Sequence, residues 1–227
     1  SNGDLALNAD LMAGPNNSGE SVKLTANGTG SITSAPGFGN IFTNGGSLNA
    51  YGGSVTLGAI DTTRGYYYGG SVYVTARASN GTIRVNGVID TRGADGTPGM
   101  NGGRGSDGGQ VSLQAGGSVI VGPEATLGVT RVVINTSGGN GSGASAYGGH
   151  AGSVFIDPSS ILINGVIKAT GGSGGPGGPG GDAGSLWLLT PNGSGTITFR
   201  NGGYDVTGGA GSPAGRDAVP YTANPIP

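Results

Sequence analysis

The chain has 227 residues, of which 54 are glycine and none cysteine, with 10% charged residues and a formal net charge of −2. That balance gives nucleic acid or an anionic membrane no reason to bind. The lack of cysteine excludes a disulfide framework, and no apolar run nears the length of a membrane span, so no membrane insertion is expected. A chain this rich in glycine stays disordered unless its apolar residues are patterned, and here they alternate.

The alternation begins at once with Leu5, Leu7 and Leu11. Residues 21–24 are a loose copy of a phrase, Gly-(Ser/Gln)-apolar-x-apolar, that returns at 53–57, 70–74, 109–113, 117–121, 152–156 and 184–188. A second phrase interleaves with it at 81–91, 127–136 and 161–169, with a worn copy at 197–206 and a half-copy at 57–62. Period-two alternation with Val, Ile and Thr predicts strands throughout and no helix. The Asn-Gly pair inside the second phrase reads as a corner needing positive φ, which splits that phrase into two short strands. One coil then has three faces: Gly-Ser-Val-x-Leu, Thr-Ile-x-Val and Gly-Val-Ile-x-Thr. No copy can bury its apolar side alone, so copies must stack. The expected fold is all-β, a right-handed parallel β-helix with three short strands per coil, forming one solenoid domain over residues 1–217. An extended, proline-bearing tail is expected over 218–227.

Ile60, Ile89, Ile134 and Ile167, which match in the last face, lie 29, 45 and 33 residues apart, more than a bare coil requires. The surplus falls in glycine-rich loops at about 92–108, 137–152 and 171–184, with a short version at 65–70. The first keeps glycine at every third position from Gly93 to Gly108. A collagen triple helix needs a long uninterrupted run of such triplets, so packed extended loops are expected instead, with mobile loops as the alternative.

Alternation places Lys23, Thr56, Tyr73, Ser112, Ile120, Phe155 and Trp187 in one outward row. Exposed aromatics there call for a cover: the chain's own loops, a protein or fibre contact, or a sugar stacked on the rings. The interaction candidates are Tyr73, Phe155 and Trp187, the run Tyr66, Tyr67 and Tyr68, and the tail residues Val219, Tyr221 and Ile226. Asp61, Asp90, Asn135, Lys168 and Asp205 occupy matching positions and should form one ladder, with Arg64 and Arg92 placed to neutralise it. A structural ladder and a catalytic or Ca²⁺ pair are the two readings. His150 stands alone in a glycine-rich loop and reads as a solvated side chain rather than a base. Residues 102–107 and 177–182 match the first six positions of a Gly-Gly-x-Gly-x-Asp calcium repeat, making Asp107 and Asp182 the metal candidates. No other cofactor and no catalytic residue is expected.

The alternation of Gly-Gly-Ser-Val-Thr-Leu at 52–57 with Asn-Gly-Val-Ile-Asp-Thr at 86–91 resembles the degenerate repeats of filamentous haemagglutinin-like bacterial adhesins, as a pattern over residues 3 to 207. The resemblance implies a right-handed β-helix, secretion, and a surface or matrix role without catalysis. The secretion-partner motif Asn-Pro-Asn-Gly is absent, and the glycine-rich loops exceed that family's usual corners. A chain with no amphipathic cap before its first repeat and a proline-bearing tail reads as a subunit of an extracellular fibre. It would stack head to tail on its own copies, with the tail clasping a neighbour. A glycan- or host-binding adhesin fragment is the alternative, and a polysaccharide depolymerase the third reading.

Overall fold

Glycine, asparagine or serine interrupts the alternation every few residues, so each strand is two to five residues long and has no chain neighbour to pack on. Burial comes only from winding. The computed structural model describes residues 3–13, 19–63, 68–124, 129–191 and 195–222, which form seven coils of three strands. The first coil holds β1 (Leu5–Leu7), β2 (Leu11–Met12) and β3 (Val22–Thr25); the second, β4 (Ile32–Ser34), β5 (Ile41–Phe42) and β6 (Leu48–Gly52). The third holds β7 (Val55–Leu57), β8 (Ile60–Asp61) and β9 (Val72–Ala76); the fourth, β10 (Ile83–Val85), β11 (Ile89–Asp90) and β12 (Val111–Ala115). Then come β13 (Ser118–Val121), β14 (Val132–Asn135) and β15 (Val154–Asp157), followed by β16 (Ser160–Ile163), β17 (Val166–Lys168) and β18 (Leu186–Leu188). The seventh coil is β19 (Ile197–Phe199), β20 (Tyr204–Asp205) and β21 (Tyr221–Thr222).

Every strand pairs in parallel with its counterpart one coil away, giving three seven-stranded sheets: A from β1 to β19, B from β2 to β20 and C from β3 to β21. This is a right-handed parallel β-helix, the hand that parallel crossover connections adopt. Inward side chains stack like on like. Ile41, Ile60, Ile89, Ile134 and Ile167 run in register up sheet B, while Val72, Val111, Val154 and Leu186 run up sheet C, all at or near zero exposure.

The Gly-Ser phrase serves two faces, not one. Its copies at β7 and β13 lie in sheet A and those at β9, β12, β15 and β18 in sheet C. Thr56 and Ile120 therefore leave the outward row. On sheet C that row reads Lys23, Asn49, Tyr73, Ser112, Phe155, Trp187 and Tyr221. The reason is physical: both corners bring the chain hard against the coil below. A Cβ on Gly53 would collide with the carbonyl of Thr29, and one on Gly109 with that of Gly70. The phrase's serine has a parallel use. The hydroxyls of Ser21, Ser47 and Ser71 accept the N–H of the aligned residue one coil on, at 3.1 Å each, before sheet C, and Ser31 and Ser54 do the same before sheet A.

The Asn-Gly corners also differ from expectation. Positive φ falls on Gly165 (155°) in one and on Asn201 (54°) in another, and neither Asn86 nor Gly87 has it. Gly87 is glycine because it lies against the backbone of Ala59.

The glycine-rich loops leave between sheets B and C, pinched at the neck. In the fourth coil the N–H of Gly109 donates to the carbonyl of Thr91 (2.7 Å), and the buried Thr91 hydroxyl donates to the carbonyl of Gly109 (2.7 Å). Thr62 with Gly70 and Thr136 with Gly152 repeat this closure. Beyond the neck, each loop runs out and back in extended form and stacks on the next with a period of three. Gly93, Gly96, Gly105 and Gly108 donate to the carbonyls of Ser137, Asn140, Tyr147 and His150. The loops at 137–152, 171–184 and 207–217 continue the pattern. The loops are thus packed on one another as a flat layer beside the solenoid, with hydrogen bonds of single-chain extended segments rather than of a collagen triple helix.

The tail is partly solenoid. Ala218 donates to the carbonyl of Val206, and Tyr221–Thr222 pairs with Trp187 and Leu188. Residues 218–222 thus close the seventh coil on their own chain rather than forming a separate tail; Ile226 lies outside the described residues.

Candidate functional site

Sheet B and the glycine-rich layer meet at an angle, and between them lies an open groove of about 420 Å³. Its walls include Arg92, Asp95, Asn135, Asn140, Lys168 and Thr170. Two of these, Asn135 and Lys168, belong to the expected ladder, in which Asp61, Asp90, Asn135, Lys168 and Asp205 are in register on successive strands. Arg64 lies outside the described residues. Arg92 does neutralise its own rung, at 2.8 Å from Asp90, and that carboxylate is the first cause of its raised pKa.

What the ladder does locally is repeat one turn. Asp61 Oδ1 accepts from the N–H and hydroxyl of Thr63 (2.9 and 2.6 Å). Asp90 accepts the N–H of Arg92 (3.2 Å), Asn135 the N–H and hydroxyl of Ser137 (3.2 and 2.8 Å), and Asp205 those of Thr207 (3.3 and 2.9 Å). These are Asx turns, in which a short carbonyl side chain ties down the backbone two residues on. Lys168 cannot accept a hydrogen bond, so the sixth coil has no such turn. The N–H of Thr170 has no acceptor among the described residues, and Lys168 forms no ion pair there.

A second ladder runs along the return limb of the layer. Asp107 Oδ1 accepts the N–H of His150 (2.8 Å), His150 Nδ1 accepts the N–H of Asp182 (2.9 Å), and Asp182 Oδ1 accepts the N–H of Arg216 (2.9 Å). His150 is therefore a rung of the layer and, as expected, also solvated, with half of its side chain exposed. Because its Nδ1 accepts, the neutral ring carries its proton on Nε2. Hydrogen bonds from the Arg216 side chain (2.5 Å) and backbone hold the Asp182 carboxyl down at about 2. Both metal candidates, Asp107 and Asp182, thus have their carboxylates engaged by the layer itself. Among the described residues, no group of three or more His, Cys, Asp or Glu is placed to hold a metal ion.

The aromatics lie on the other side of the layer. Trp187 is 43% exposed, Tyr73 37% and Tyr221 58%, while Phe155 meets Trp187 edge to face at 6.4 Å. The loops stack on each other instead of folding over this face. Val219 is 90% exposed and lines a shallow recess with Asp182, Ser185 and Arg216. Tyr68 is exposed and bridges to Asp107; Tyr66 and Tyr67 lie outside the described residues.

Fold and surface together define a β-solenoid carrying a hydrogen-bonded glycine-rich side layer. Comparison with protein-family models, with curated proteins and with solved structures finds no match to this chain. No helix among the described residues is long and apolar enough to cross a membrane.

Proposed function

We propose that this chain is a non-enzymatic structural protein of an extracellular surface or matrix fibre, lengthened by copies stacking head to tail along the solenoid axis. One observation carries this reading: the outer edges of the first and last coils have no strand partner among the described residues, although every coil between them is paired on both sides. In a parallel strand alternate N–H groups point to opposite sides. The N–H groups of Leu5, Leu11 and Val22 bond to the second coil, so those of Ala6, Met12 and Lys23 point away, toward a further layer. An open edge of three strands is a template for another coil. The resemblance to haemagglutinin-like repeats agrees with a surface role, and the Asx turns give the ladder carboxylates a structural use that needs no catalysis. The test is light scattering against concentration, with Ala6→Pro and Lys23→Pro as edge-blocked forms, because proline removes an outward donor without removing one to the second coil. Concentration-dependent growth that the double substitution abolishes supports the reading; growth unaffected by it, or none at all, refutes it.

A further inference from the structure

In four coils of sheet B, a side-chain oxygen ties down the N–H two residues on: Asp61 to Thr63, Asp90 to Arg92, Asn135 to Ser137 and Asp205 to Thr207. In the sixth coil the same rung is Lys168. The substitution removes an acceptor, leaves the Thr170 N–H without one among the described residues, and sets an ammonium with no ion pair on the groove wall. The first two coils carry Met12 and Phe42 at this rung, so the rule runs from the third coil to the seventh and fails there only at Lys168. In that coil the Thr170 hydroxyl turns to Ser137 instead (3.1 Å), while its N–H gains no replacement among the described residues, which marks the break as a place where function rather than stability chose the residue.

The surroundings say what would fit. Along the groove toward the fourth coil, Asn135 and Asn140 each have Oδ1 engaged by the chain, by Ser137 and Ser173, which leaves their amide N–H₂ groups as outward donors. Arg92 closes the far end, already paired with Asp90 and flanked by Asp95, so that end is not an anion site. At the other end Lys168 lines the groove, and the Asp205 carboxylate on the next strand is held by Thr207 and does not line it. The groove therefore has one cationic end and a wall of amides and hydroxyls spaced at the strand repeat, about 4.8 Å, close to the length of one sugar ring.

We propose that the sixth coil is an anion subsite for an acidic oligosaccharide. One sugar carboxylate takes the place that Asp61, Asp90, Asn135 and Asp205 fill in their own coils, between the Lys168 ammonium and the Thr170 N–H. The sugar hydroxyls then lie along Asn135 and Asn140. One ammonium and one free backbone N–H form the kind of charge-assisted site that carboxylates favour. The site stands on the side of the rod, so it is independent of whether copies stack end to end.

The test uses the full chain and a galacturonate oligomer, read by calorimetry and by the Thr170 amide resonance, with a neutral glucose oligomer of equal length and polyglutamate as comparisons. Lys168→Asp restores the missing turn, so it is expected to leave the melting temperature equal or higher while weakening galacturonate binding at least tenfold. Lys168→Gln, which removes the charge without that turn, should weaken it similarly. Binding of the galacturonate alone, with a shift at Thr170 that both substitutions remove, supports the site. No binding, equal binding of the neutral oligomer, equal binding of polyglutamate, or affinity indifferent to Lys168 overturns it.

Discussion

Thr91 illustrates how single side chains let the solenoid tolerate long insertions. Its hydroxyl is fully buried and donates to the carbonyl of Gly109 across the neck of a loop that leaves and rejoins the coil at those two residues. Thr91→Val keeps the shape and removes the donor, leaving a buried carbonyl with one bond fewer. A loss of about 1–2 kcal/mol is expected in denaturant unfolding, with faster amide exchange at Gly109. At the outer limb, Asp182 links charge to stability with a definite sign. Its folded pKa is lowered from 3.8 to about 2 by Arg216, so the stabilisation is complete above 3.8 and is lost as pH falls toward about 2. Thermal melts across that window should show a steeper decline for the native chain than for Asp182→Asn. Parallel curves would mean that the pair contributes nothing to the layer.

At the scale of elements, the strands were legible because period-two alternation survives even in two-residue pieces such as Ile89–Asp90. The sheet to which each belongs was less so. Gly53 and Gly109 face the same close approach at different corners, and a local phrase cannot record which corner it occupies. The ladder from Asp61 to Asp205 could be read by aligning copies, but the groove beside it could not. Its outer wall exists only because loops of different lengths stack on one another, a long-range consequence of glycine every third residue. The exposure of His150 could be read from the sequence but its partners could not, for the same reason, since Asp107 and Asp182 belong to the adjoining loops. The layer makes its own prediction. A Cβ on Gly172 would meet the carbonyl of Gly139, and one on Gly209 that of Gly172, so these glycines form a column with no spare space. Gly172→Ala should cost about 3 kcal/mol through overpacking and increase amide exchange in the loops on either side. Unchanged exchange there would mean that the layer is not packed as described.

For the whole molecule, stacking like on like makes each coil a template for the next, and the proposed assembly extends the same hydrogen bonds from coils within the chain to coils of successive chains. The glycine-rich layer adds a flat flank to the rod, and the aromatics from Tyr73 to Tyr221 mark the face of sheet C beside it. Groove and aromatic face lie on opposite sides of that layer, so the proposed ligand site on the flank leaves the proposed end-to-end contacts unobstructed. The most direct measurement is electron microscopy of the purified chain at high concentration. Filaments with an axial repeat of about 34 Å, seven coils at about 4.8 Å each, are expected for the native chain and should be lost in the Ala6→Pro, Lys23→Pro form. Short isolated rods at every concentration would contradict head-to-tail assembly.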